Sequence, residues 1–201
     1  MALSSALGLF GTFIGLIRAL PQLILILSTR RAAGVSVDTA AVSALVSFGW
    51  AVYGWLTHQL FVSLATGTSG LIFLLITLFA ISFGRSPREF KVAPFWLGFL
   101  ILAHFMGGAR GLGILLPLSV LAANGPQIHT AFKEKDLSDL SLGTWAFSLL
   151  DGVIWGAYAL LTSDLPIQIY ALFQLITTTA ILVLKITKTR TPGIHIFGKE
   201  R

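Results

Sequence analysis

Apolar residues run through this chain in long unbroken blocks separated by short polar gaps, and the length of those blocks decides what they can form. A helix needs about 20 apolar residues to cross a hydrocarbon core of about 30 Å. Blocks of that kind fall at 4–27, 38–57, 60–83, 92–109, 111–132, 140–162 and 165–186. The pattern predicts an all-α membrane protein with seven transmembrane helices. Transmembrane barrels alternate apolar and polar positions, and these runs are continuously apolar instead. The fourth block, "PFWLGFLILAHFMGG", is barely long enough and contains His104, so a tilted or interfacial helix is its alternative reading.

Composition points the same way. Of 201 residues, 55% are hydrophobic and 11% charged, and mean hydropathy is +0.86, which leaves too little polar surface to coat a soluble globule. The opening "MALSSALGLFGTF" lacks a basic leader and runs straight into the first span, so it is expected to be retained. The absence of cysteine excludes disulfides and thiolate metal sites. His58, His104, His129 and His195 form no pair at ligand spacing on one helix, so neither a metal nor a cofactor is expected.

A net charge of +6 raises nucleic acid as a partner, but the distribution of the basic residues has another explanation. Arg30 and Arg31 follow the first span, Arg85, Arg88 and Lys91 the third, Lys133 and Lys135 the fifth. Lys185, Lys188, Arg190, Lys199 and Arg201 form the tail. All of these lie on one side of a seven-span arrangement; Arg110 falls on the other, and Arg18 lies within the first span. The positive-inside rule then puts the N-terminus outside and the C-terminus in the cytoplasm. Topology accounts for the basic loops, so the expected partner is the lipid bilayer and not nucleic acid. Deleting the fourth span would scatter the later basic loops onto the wrong face.

The blocks also repeat. An offset of 105 positions superposes Pro21 and Gln22 on Pro126 and Gln127 without a gap, and the agreement continues through Ser36/Ser141, Thr39/Thr144, Ala41/Ala146, Ser43/Ser148 and Leu45/Leu150. "WAVYGWLT" at 50–57 falls on "WGAYALLT" at 155–162. Eleven of the 37 positions from 21–57 match, several times what apolar composition alone produces. The units share one orientation only if an odd number of spans separates them, and the fourth span supplies it. The expected architecture is 3+1+3: a triple-helix unit at 1–86, an inversion helix at 87–109, a second unit at 110–187 and a cytoplasmic tail at 188–201. Parallel repeats are a recurrent transporter plan, with a central path between the bundles.

Each interruption of the apolar runs has a physical reading. Proline inside a helix removes a donor and clashes with the carbonyl four residues back, so Pro21 and Pro126 should free the carbonyls of Ile17 and Ala122 and bend both helices. They read as paired hinges, or as static kinks. Gln22 and Gln127 are candidates to satisfy the freed groups or to brace neighbouring helices. Trp50 and Trp155 lie roughly 10 Å inside the outer membrane edge at 1.5 Å per residue, deep enough for their indole faces to line a cavity and stack on a solute; interfacial anchoring is the alternative. Tyr53 and Tyr158, nearly a turn outward, are placed to narrow the external mouth. Arg18 and Asp151 are intramembrane charges whose repeat mates, Ala123 and Val46, are apolar. Such charges pair with each other, meet a solute or carry a proton, and Arg18 alone could snorkel. Asn124 and Gln174 are further candidates for the cavity or for helix-to-helix hydrogen bonds. Gly11 and Gly15 form a GxxxG suited to close packing.

With "LPQ" and "GPQ" on the first and fifth spans, basic loops after each, and "FSLLDGVIWGAYALLTSDLP" at 147–166, the chain resembles the PQ-loop superfamily, and within it the SWEET and SemiSWEET sugar transporters, from about residue 8 to 187. The resemblance implies a sugar-contacting Asn on the third helix of each unit, sixteen residues after the Trp. Thr66 and Ala171 stand there instead, a hydroxyl and a methyl. It also implies Asn where Asp151 stands, and, for the plant members, prolines on the second and sixth helices that this chain lacks.

The expectation is a plasma-membrane transporter of small polar solutes working by alternating access, with facilitative sugar transport first and a proton-linked amino acid or other zwitterion second. Asp151 is the residue that would carry such a proton. A non-transporting PQ-loop receptor is the alternative from another class, although long soluble ligand-binding loops are absent. Catalysis is not expected: there is no His-Glu pair of a metalloprotease and no Gly-x-Ser-x-Gly, and "GGARGLG" at 107–113 lacks the lysine of a phosphate loop. Self-association is left open.

Overall fold

A computed structural model of the chain describes residues 2–32, 35–133, 137 and 142–189; at positions 2, 18, 19, 126, 130, 144 and 189 it describes the backbone only. Among the described residues there are helices and no strands. The helices are α1 (Ala2–Thr29), α2 (Val37–Leu56), α3 (Leu60–Ser82), α4 (Ala93–Lys133), α5 (Leu142–Thr162) and α6 (Leu165–Thr189), with a 3-10 turn at Pro87–Glu89. All six are long and apolar enough to cross a membrane.

Six helices stand where the pattern predicts seven spans, because α4 takes up both the fourth and the fifth. It breaks at Gly108, whose backbone (φ 54, ψ −129) is non-helical. Only glycine adopts such a conformation without strain, so the chain turns here without a polar loop to announce it. The turn is a reversal. A Cβ built on Gly49 would lie 3.0 Å from Leu100 and 2.8 Å from Leu116, yet those leucines would be about 24 Å apart in a straight helix. Gly111, likewise, backs directly onto the carbonyl of Ala103. α4 is thus two legs, 93–107 and 109–133. By contrast α1 carries Pro21 in its interior and remains one helix over its whole length.

The packing order is the same in both halves. α3 packs on both α1 and α2, and α6 packs on both α4 and α5, so the third helix of each set sits between the other two. Across the middle, α1 meets α5 and α2 meets α4, a pairing that maps onto itself when the halves are exchanged. The correspondence extends to single contacts at the offset of 105. A Cβ on Gly8 would lie 2.6 Å from Phe61, and one on Gly113 would lie 2.8 Å from Pro166. The turns after α2 and α5 each hold a non-glycine residue in the left-handed region, His58 (φ 57) and Ser163 (φ 55), which is uncommon backbone for any L-residue. Next to them the Gln59 N–H donates to the Gly54 carbonyl at 2.7 Å, and the Asp164 N–H donates to the Ala159 carbonyl at 3.0 Å.

Two further contacts tie helix ends together. The Asp38 carboxylate accepts from the N–H groups of Lys91, Val92 and Ala93 at 2.9–3.1 Å, capping the start of α4 from the first turn of α2. The Lys188 ammonium donates to the carbonyls of Ala131 and Phe132 at 2.6 and 2.8 Å, capping the other end of α4. Large side chains such as Phe105, Met106 and Ile114 point outward, as a hydrocarbon solvent allows, while the interior at the junction of the halves is built on Trp50, Tyr53, Leu116, Trp155 and Tyr158.

Candidate functional site

α2 and α5 bring their tryptophans to the junction of the halves. Glycine makes this possible: a Cβ on Gly11 of α1 would lie 2.9 Å from the Trp155 ring. Each indole meets the tyrosine one turn outward edge-on, Trp50 on Tyr53 and Trp155 on Tyr158, both with centroids 5.4 Å apart. Both tryptophans border a chamber of about 120 Å³, room for several waters. Thr66, Ser47, Ser69 and Asp151 also line it. Thr66 donates its hydroxyl proton to the Val62 carbonyl at 2.6 Å, leaving its oxygen to act as an acceptor. Asp151 is 3% exposed, and its Oδ2 accepts from the Tyr170 hydroxyl at 2.9 Å. The Trp50 Nε1–H is buried and donates to nothing among the described residues. A carboxylate acceptor, an unsatisfied indole donor and two aromatic walls therefore meet in one space.

At one end this space is closed. The Tyr53 hydroxyl donates to Asp164 Oδ2 at 2.7 Å, the Gln59 amide donates to the same oxygen, and the other Asp164 oxygen caps α6 through the Ile167 N–H at 2.9 Å. Gln59 and Asp164 are offset mates, so corresponding positions of the two halves touch each other there. The other end is wide: a vestibule of about 670 Å³ runs between Asp38, Trp96 and Trp145 and meets the chamber at Val46, Ser47 and Tyr170. Vestibule and chamber together fall in the size range of small-molecule sites. The site is open toward the α1–α2 end and shut at the α2–α3 end.

Residues 3–63 match the family described as PQ loop repeat. The whole fold superposes on "The 3.7 A resolution structure of a eukaryotic SWEET transporter" with a TM-score of 0.76 and 16% sequence identity, over 94% of this chain and 98% of that one. The first third of the chain is thus similar to a PQ loop repeat, and the whole chain shares its fold with a SWEET transporter. No curated protein matches the chain in sequence.

The structure brings Trp50, Trp155, Thr66 and Asp151 to one chamber, with Tyr53 packed edge-on behind Trp50. Tyr158 is buried against Trp155 and makes no hydrogen bond through its hydroxyl among the described residues. Asn124 and Gln174 are not in the chamber but on the vestibule wall. Asn124 donates to Thr177 at 2.8 Å and to Gln174 at 3.4 Å, and Gln174 donates to the Ser148 carbonyl at 3.3 Å. Gln174 lies one turn past Ala171, and its hydrogen bonds tie α4, α5 and α6 together. Gln22 is exposed and Gln127 half-buried, and neither braces a neighbouring helix among the described residues. The side chains of Arg18 and Pro126 lie outside the described residues, and with them the expected pairing of Arg18 with Asp151.

Sequence reasoning passes over Gln59, Asp164 and Tyr170. The first two carry a signal in hindsight: they are polar, they sit at helix starts, and they are 105 positions apart. Tyr170 carries none, since its mate is Ala65 and an aromatic residue in an apolar block reads as packing.

Proposed function

We propose that this protein moves small polar solutes through the bilayer by alternating access, and that the solute is a sugar carried by facilitated diffusion. The observation that supports this is a chamber between two tryptophans that joins a wide vestibule, the two together solute-sized, with Tyr53 bonded to Asp164 at the far end. The chain is then read as 3+1+3: units at 1–86 and 110–187 joined by 87–109, in the plasma membrane, with the N-terminus outside and the latch facing outward. Indole faces suit the C–H faces of a sugar ring, the Asp151 carboxylate suits its hydroxyl donors, and the Trp50 N–H suits a hydroxyl oxygen. Pro21 and Pro126, one in each unit, are the flexure points about which the inner ends close as the latch opens.

A second reading, transport of an amino acid or other zwitterion, is favoured by one observation. A buried carboxylate beside aromatic faces also suits an ammonium group, and an intramembrane acid can carry a coupled proton. Tracer uptake into proteoliposomes, with a panel of sugars and amino acids and with or without a pH gradient, separates the two. Sugar flux indifferent to the gradient is the expected result. Amino-acid flux that requires the gradient and is abolished by Asp151→Asn would replace the first reading with the second. No flux of any solute would leave a receptor.

A further inference from the structure

Chamber and vestibule meet at only three lining residues, Val46, Ser47 and Tyr170, and Tyr170 is the only large one. Its ring stands edge-on to Trp50, with centroids 5.5 Å apart and planes at 73°, so the side chain of α6 reaches across to a wall of α2. Its hydroxyl donates to Asp151 of α5 at 2.9 Å, which ties the ring to a second helix. One side chain from the second half thus spans the boundary between the two spaces and contacts both walls.

Nothing equivalent exists in the first half. The mates of Asp151 and Tyr170 are Val46 and Ala65, so neither the hydrogen bond nor the bulk is repeated. A device present once, at the boundary of two cavities, is not demanded by the fold, because the other half builds the same helix packing with an alanine.

We infer that Tyr170 is an inner gate and size filter for the solute path, resting on the reading of the chamber as a solute site. The ring limits what passes between vestibule and chamber, and the bond to Asp151 keeps it shut. A solute hydroxyl or ammonium arriving at Asp151 competes for the same carboxylate and so releases the ring. The filter admits solutes of monosaccharide or amino-acid size and excludes disaccharides.

The test uses the absence of native cysteine. In purified full-length protein, Thr66→Cys puts a thiol in the chamber, Ser43→Cys puts one in the vestibule, and a water-soluble methanethiosulfonate reagent reads access to each. Adding Tyr170→Ala should speed modification at position 66 about tenfold or more. Tyr170→Phe, which keeps the ring and loses the bond to Asp151, should speed it by a smaller factor, about threefold. Modification at position 43 should change in neither background, which also certifies that the variants remain folded. An unchanged rate at position 66 in the Tyr170→Ala background, with position 43 also unchanged, overturns the gate. Uptake by the same proteins judges the transport reading separately: disaccharide flux gained by Tyr170→Ala supports the filter. A gated chamber in a protein that moves no solute would leave the gate standing and remove the transport reading.

Discussion

The two halves agree at one end of the molecule and part company in the middle. At the α2–α3 and α5–α6 turns they share left-handed His58 and Ser163, matched backbone hydrogen bonds and matched glycine contacts. At mid-membrane, Val46 faces Asp151 across the offset, Ala65 faces Tyr170, and Ala19 faces Asn124. Backbone geometry constrains the turns, because a reversal of two or three residues between long helices has few solutions. Side-chain chemistry is free in the middle, where only packing volume and the content of a cavity are at stake. The difference teaches that the two halves keep one backbone frame while their side chains diverge where they border the cavities.

Glycine contacts give the largest way to break this comparison. Gly8→Leu and Gly113→Leu each drive a side chain into Phe61 or Pro166, and overpacking of this kind costs roughly 1–3 kcal/mol or more. Both should lower the unfolding midpoint in detergent by similar amounts. Tolerance of one and not the other would show that the two contacts are not equivalent.

Next in size is the latch. Tyr53→Phe removes a hydrogen bond to a buried carboxylate, worth about 1.5–3 kcal/mol, whereas Tyr158→Phe removes a hydroxyl with no described bond. Labelling of a thiol introduced at Thr66, with reagent supplied from the latched side of sealed vesicles, should rise about tenfold or more for the first and little for the second. Equal effects would mean that the closed end is symmetric after all.

Smallest is Asn124→Ala, which gives the second half the residue of the first. Losing its 2.8 Å bond to Thr177 should cost about 1 kcal/mol, read as a modest fall in thermal midpoint with solute affinity unchanged. A large loss of affinity would return Asn124 to the solute site.

Much of the frame is legible in the chain, for reasons that can be named. Hydrocarbon admits helices and closed barrels, and continuously apolar runs select helices, so the span positions follow from the pattern. The offset of 105 aligns Trp50 with Trp155 and also Gln59 with Asp164. Less legible is the break at Gly108, because a reversal made by one glycine leaves no polar gap between blocks. Asn124 and Gln174 were legible as buried polar residues but not as vestibule wall, since periodicity assigns a face to a helix without saying what that face meets.

By itself, then, the sequence determined that the protein lies in a membrane, that it is helical, and that its halves are related, since solvent, chain geometry and internal repetition all act along the chain. Only the tertiary structure decided that Gln59 meets Asp164, that Tyr53 latches onto it, and that Tyr170 stands between two cavities. Those facts depend on distances between residues up to 120 positions apart in sequence, such as Tyr170 and Trp50, which packing sets and local pattern does not encode.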